Sequence, residues 1–315
     1  MTDKRVLMIA YHYPPVRTSS GIQRTLKFSE YLRDHAWEPM ILTVSPRAYE
    51  AVSNDQMGEI PAGMVVERAF GLDTARHLSL KGRYLRWMAQ PDRWVSWWPM
   101  GVVRGMQLIR RYQPRAIFAT FPIATAPMIG LTLHRLSGLP LVLDFRDGMT
   151  EPGYPVNPST WKIHRRLESK LIAACSRAIF TTRATRDMYA ERYPDKPADC
   201  WAVIENGFDE DNFRDAEQGL DTRRLGPDGQ MVLVHSGVLY PAERDPRAFF
   251  AALQAMKRAG EISAASLRII LRATGTDDYY SKLLAEYGID DIVVIEPVVA
   301  YRSALQEMMR ADGLL

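Results

Sequence analysis

The chain has 315 residues, 47% of them hydrophobic and 24% charged, which excludes a disordered chain and leaves room for about two domains. Its 40 basic and 37 acidic residues nearly cancel, leaving a net charge of +3, and this gives no ground for a nucleic-acid binder. The two cysteines, Cys175 and Cys200, can build neither a disulfide framework nor a four-ligand metal site, and a reducing, cytoplasmic setting is expected.

The first apolar run, Val6-Leu7-Met8-Ile9-Ala10, is too short for a signal-peptide core, and Pro14-Pro15 soon interrupts it. It reads as a strand. Further strands are expected over 40–44, 64–67, 116–120, 141–144, 178–182 and 202–204. A first helix carries Ile22, Thr25, Leu26, Phe28, Ser29 and Leu32 on one stripe, with Gln23, Lys27, Glu30 and Asp34 opposite. Other helices are expected over 99–112, 126–137, 159–175 and 184–193. The uncharged stretch between Arg115 and Arg135 nears membrane-spanning length, but Pro122 and Pro127 divide it into a strand, a turn and a helix.

Around residues 206–230 the chain turns polar and glycine-rich, through Asn206-Gly207 and then Gly219, Gly226 and Gly229. A second series follows, with strands over 231–236, 267–271 and 292–295 and helices over 246–259, 279–287 and 301–309. Short apolar runs alternating with helices predict an α/β protein with mostly parallel sheets. The expected domains are 1–215 and 228–315. The closing Ala311-Asp312-Gly313-Leu314-Leu315 reads as the start of another strand, so the second domain is expected to be incomplete.

Open α/β sheets bind ligands where strands end. The loop after the first strand, residues 11–21, has Gly21 as its only glycine. It therefore lacks the G-x-G-x-x-G of a dinucleotide fold, and no G-x-x-x-x-G-K-[ST] phosphate loop occurs anywhere. Gly21 has two readings: a helix N-terminus that receives an anion, or a plain N-cap at Ser20-Gly21.

Four segments in order, "YHYPPVRTSSGIQRTLKFSEYL" at 11–32, "LPLVLDFRD" at 139–147, "IENGFD" at 204–209 and "HSGVLYPAERDP" at 235–246, resemble the retaining glycosyltransferase family 4. The similarity is closest to its bacterial surface-polysaccharide branch. That resemblance implies a GT-B fold of two Rossmann-like domains facing across a cleft, an N-terminal acceptor side and a C-terminal nucleotide-sugar side. It implies a UDP- or GDP-linked donor and no metal.

The resemblance also distributes roles. Gly21, Gly237, Arg244, Thr274 and Val298 fall on the donor side, with Arg244 on the phosphates. The family often has a basic residue after the glycine of the fourth motif, and here that position is Val238. His12, Arg24 and Asp144 fall on the acceptor side, and Arg146 and Asp147 at the catalytic centre. Read from the residues alone, Asp147 is a carboxylate able to accept a hydroxyl proton, or one half of a loop-holding pair with Arg146. Arg244 has the alternative of a surface pair with Glu243 or Asp245. The family's Glu-x7-Glu donor motif is matched in spacing only by Glu30/Glu38 and Glu59/Glu67, both in the wrong domain. This leaves two functions in view: a transferase acting on a glycan or lipid-linked glycan, and a non-catalytic nucleotide- or carbohydrate-binding fragment. A third, an epimerase-like nucleotide-binding enzyme, is disfavoured by the missing glycine fingerprint and the absence of Tyr-x-x-x-Lys.

Residues 76–115 hold nine basic residues against one acid, Asp92, together with Trp87, Trp94, Trp97 and Trp98. Two readings stand. The segment docks on an anionic membrane surface, making the protein peripheral at the inner face, or its tryptophans plug the core beneath a solvated basic face. Nucleic acid is set aside because no binding motif accompanies the charge.

Overall fold

The computed structural model describes residues 4–17, 21–241 and 245–315. The chain divides into two compact units, Met1–Gly207 and Phe208–Leu315.

The first unit is built on seven parallel strands: β1 (Lys4–Ile9), β2 (Trp37–Val44), β3 (Val65–Ala69), β4 (Ala116–Phe121), β5 (Leu141–Phe145), β6 (Arg177–Phe180) and β7 (Trp201–Val203). Their order is β3-β2-β1-β4-β5-β6-β7. The central strands are apolar on both faces, as a sheet covered by helices on each side requires; Leu7, Met8 and Ile9 of β1 are fully buried. The helices are α1 (Gly21–Tyr31), a short α2 (Thr74–His77), α3 (Trp97–Tyr112), α4 (Thr125–Ser137), α5 (Pro158–Ala174) and α6 (Arg183–Arg192). Close approach of α3 to α4 depends on Gly101 and Gly105, where a β-carbon would meet Ile129 and Leu133 at 2.5 and 2.4 Å.

From β1 the chain winds outward to β3, then returns through α3 to β4 on the other side of β1 and winds outward to β7. The winding therefore reverses between β1 and β4, and the loops leaving their carboxyl ends diverge. A crevice at such a reversal is where open α/β sheets take ligands.

The second unit has four parallel strands in the order β10-β9-β8-β11: β8 (Met231–Ser236), β9 (Leu267–Arg272), β10 (Val293–Glu296) and β11 (Gly313–Leu314). Around them lie α7 (Glu210–Glu217), α8 (Arg247–Arg258), α9 (Asp277–Tyr287) and α10 (Tyr301–Arg310). Phe250, Leu253, Ile269, Tyr280 and Leu284 fill the core on one face, and Val232, Val234 and Ile270 that on the other.

Two differences from the sequence reading have clear causes. The sixth strand stops at Phe180 because Thr182 caps α6, its hydroxyl accepting from the Thr185 N–H at 3.1 Å. The polar stretch after Gly207 holds a helix, α7, whose apolar residues Phe213 and Ala216 make only one turn of stripe. It lies in the second unit, anchored to α10 by Gln306, whose amide donates to the Ala216 carbonyl at 2.9 Å.

Candidate functional site

Three motifs of the first unit meet at the reversal between β1 and β4, and Arg24 joins them. Its position one turn into α1 carries the guanidinium over the end of β5. There it lies 2.8 Å from the Asp144 carboxylate, with Nε at 3.1 Å from both carboxylate oxygens. Its other arm donates to the Glu205 carbonyl at 3.2 Å and to the Asn206 amide oxygen at 3.4 Å. Asp144 also accepts from the Thr120 hydroxyl at 3.0 Å, and both ionic partners are buried. Asp144, assigned to the acceptor side from the sequence, is thus engaged by Arg24 and Thr120 and holds the Arg24 guanidinium. A buried carboxylate this fully engaged has little left to offer a ligand.

Arg146 leaves the same strand two residues later under opposite circumstances. Its guanidinium lies on Gly21, at the start of α1, donating one hydrogen bond to the Gly21 carbonyl at 2.9 Å. Among the described residues that is its only side-chain hydrogen bond, and it has no ion pair. Gly21 is required for this contact, because a β-carbon there would fall 2.5–2.9 Å from the guanidinium. Burial lowers the pKa of Arg146 first, against Asp144 and Asp147, which raise it. A largely desolvated, under-partnered cation at the positive end of a helix is electrostatically unfavourable by itself and becomes favourable with an anion beside it.

His12 and Asp147 complete the edge. The His12 pKa falls to about 3, through burial and then the charge of Arg146, so the imidazole is neutral at physiological pH. Asp147 is exposed, and among the described residues its carboxylate has no hydrogen bond or ion pair; the pair with Arg146 does not form. The structure therefore brings His12, Gly21, Arg24, Asp144, Arg146 and Asp147 to one sheet edge.

Gly237, Thr274 and Val298 lie at the corresponding edge of the second unit. Gly237 takes φ 148° directly after β8, and its N–H donates to the Arg272 carbonyl at 3.0 Å. Thr274 is fully buried, its hydroxyl bound to Asp277 and its carbonyl accepting from the Leu239 N–H at 3.1 Å; Val298 is exposed. Arg244 lies outside the described residues. Asp245 pairs with Arg247. The two Glu-x7-Glu look-alikes are side chains of the first unit in ordinary ion pairs, Glu30 and Glu59 with Lys27, Glu38 with Arg33 and Glu67 with Arg104.

Glycosyltransferase Family 4, as a sequence family, matches residues 21–212, which span α1, Arg24, Asp144 and Arg146. The chain belongs to Glycosyltransferase Family 4. No curated protein matches it in sequence. Among solved structures, sucrose-phosphate synthase from Thermosynechococcus elongatus aligns with TM-score 0.66 and 13% identity over 99% of this chain and 74% of that one. HepE from Anabaena in complex with UDP-glucose aligns with TM-score 0.60 and 16% identity over 98% and 72%. UDP-GlcNAc 2-epimerase from Methanocaldococcus jannaschii aligns with TM-score 0.56 and 11% identity over 98% and 77%. At these identities the likeness is one of fold, the GT-B class.

In this family member a residue that sequence reasoning missed holds the Arg146 loop in place. Glu168 on α5 is 0% exposed. It accepts from the Thr150 hydroxyl at 2.7 Å, the Tyr189 and Tyr193 hydroxyls at 2.9 and 2.6 Å, and Arg165 and Arg192 at 2.5 and 2.9 Å. Tyr189 in turn accepts from the Met149 N–H at 2.9 Å. The loop that carries Arg146 and Asp147 is thereby tied to α5 and α6. In the sequence, Arg165 and Glu168 read as one more surface pair at i,i+3 spacing.

His12 gives a pH prediction. Its native pKa of about 3 lies below the ordinary 6.5, so between those values the unfolded chain binds the extra proton. Stability must then fall as pH drops from 6.5 toward 3, with no contribution from His12 above 6.5. Melting temperatures measured at pH 7.5 and pH 5 should differ less in His12→Asn than in the parent protein; equal differences would remove His12 from this linkage.

Proposed function

We propose that this protein transfers a sugar from a UDP- or GDP-linked donor to a glycan or lipid-linked glycan, with retention of configuration and without a metal. The under-partnered guanidinium of Arg146 at the head of α1 carries the reading. In such a transfer the bond from the anomeric carbon to the diphosphate breaks, the bond to the acceptor oxygen forms, and the acceptor hydroxyl gives up its proton. Negative charge grows on the departing phosphate, and a preset cation or N–H dipole there lowers the barrier without reorganising. Arg146 and the α1 terminus supply both. Asp147, exposed and unengaged among the described residues, takes the acceptor proton in this reading. The neutral imidazole of His12 can bind a sugar hydroxyl without adding charge. Gly237 and the backbone around Thr274 and Val298 form the donor side, with Arg244 assigned to the phosphates.

Binding without turnover is the second reading. Incubating the protein with a panel of UDP- and GDP-sugars and glycan acceptors separates the two. Nucleotide release coupled to acceptor elongation, with the anomeric configuration kept, is the expected result. Saturable donor binding with no release would establish the second reading, and conversion of the donor sugar without transfer would establish an epimerase. Failure to bind any nucleotide-sugar would end all three.

A further inference from the structure

The basic aromatic stretch divides sharply in the structure. Trp97 is fully buried, and the Trp94 ring packs 4.5 Å from that of Tyr11; both belong to the core. Between Arg76 and Trp87, by contrast, every residue except Ser79 is exposed. Leu80, Leu85 and Trp87 stand 80%, 62% and 72% exposed, beside Leu78 and Tyr84. Arg76, Lys81, Arg83 and Arg86 are interleaved with them, and no acidic residue occurs between Asp73 and Asp92.

This loop is closed at its base and turned tightly at its tip. At the base, the Thr74 hydroxyl donates to the Met88 carbonyl at 2.8 Å, and the Thr74 N–H to the Arg93 carbonyl at 2.8 Å. At the tip, Lys81 and Gly82 take φ of 51° and 75°, while Leu80 and Arg83 exchange backbone hydrogen bonds of 2.8 and 3.0 Å. Two successive positive φ values make the tight two-residue turn of a hairpin. Arg76 and Arg86 are held by the Tyr49 carbonyl and by Asn157. Lys81 and Arg83 have no side-chain partner among the described residues.

Large aliphatic and indole side chains held in water by an anchored loop need an apolar medium, and the unpaired cations among them need an anionic one. A polyanion such as RNA would satisfy the cations and leave Leu80 and Leu85 wet. A second copy of the loop would bring like charges together. We propose that residues 78–87 dock on the surface of an anionic lipid bilayer, with Leu80, Leu85 and Trp87 entering the interface and Lys81 and Arg83 meeting lipid phosphates. The inference rests on the lipid-linked acceptor reading for its purpose, and vesicle binding is measured without donor or turnover, so either can fail alone.

Co-sedimentation of the full chain with phosphatidylglycerol-containing vesicles and with pure phosphatidylcholine vesicles tests it. Binding to the anionic vesicles alone, weakened by salt, is expected. Lys81→Ala combined with Arg83→Ala should reduce partitioning about thirtyfold, and Leu80→Ser combined with Trp87→Ser about tenfold or more. Both double variants should melt with the parent protein, because the replaced side chains are exposed. No binding to either vesicle, equal binding to both, parent-like binding by both variants, or retention by RNA in place of vesicles would overturn the proposal.

Discussion

Replacing Glu168 with alanine is expected to cost the first unit about 3–5 kcal/mol, the range found when one partner of a buried charge network is removed. The reason lies in what is left behind. Arg165, Arg192, Tyr189, Tyr193 and Thr150 all point donors at the Glu168 carboxylate, and alanine leaves two cations and three hydroxyls around an apolar gap. Burial, with Glu168 beside it, holds the Tyr189 phenol far above its ordinary pKa in the parent protein, so it stays a donor to the carboxylate. A loss of this size is a large part of a typical domain's 5–15 kcal/mol, and in a unit this size it should lower the melting temperature by roughly 10 °C. Glu168→Gln keeps the shape and one acceptor oxygen, and should lose about half as much. Thermal unfolding followed by circular dichroism reads both; a Glu168→Ala loss below about 1 kcal/mol would show that the network contributes little.

Arg146→Ala should have the reverse signature. A charge-assisted hydrogen bond to phosphate is worth about 1.5–3 kcal/mol, so donor affinity or turnover should fall about tenfold to a hundredfold. The unliganded protein should melt no lower than the parent, because the side chain removed is a desolvated cation whose one hydrogen bond among the described residues is to Gly21. Stability held or gained while donor binding is lost marks a charge kept for a ligand. Gly21→Ala offers an independent route to the same displacement, since its β-carbon would occupy the space of the guanidinium. It should weaken donor binding in the same direction and change stability by no more than about 1 kcal/mol. Isothermal titration with the active nucleotide-sugar, alongside melting curves, decides the matter. Unchanged donor binding in Arg146→Ala would take this residue out of the site.

Of the expected site residues, some were readable because their signal is local. Gly21 opens a helix after a strand, and Asp147 leaves the end of another; a loop position at a strand's carboxyl end is fixed by the chain's own sequence. The contrast between Asp144 and Asp147 was not readable. Both are aspartates within four positions, yet one is sealed by a guanidinium 120 residues away in the chain and the other is left open to solvent. Glu168 was hidden for the same reason, since three of its five partners come from α6 and from the loop after β5. The basic stretch could not be divided from its composition either, because Trp87 and Trp97 are the same residue type in the same company, one wet and one fully buried.

The sequence by itself determined the alternation of strands and helices, the parallel α/β class and the family. These follow from apolar periods and motif order, which act over a few residues and survive any change of surroundings. The tertiary structure alone decided which charges are spent and which are kept. Burial and partnership depend on groups brought together from distant parts of the chain, and an ion pair such as Arg24–Asp144 leaves no mark on the residues next to either partner.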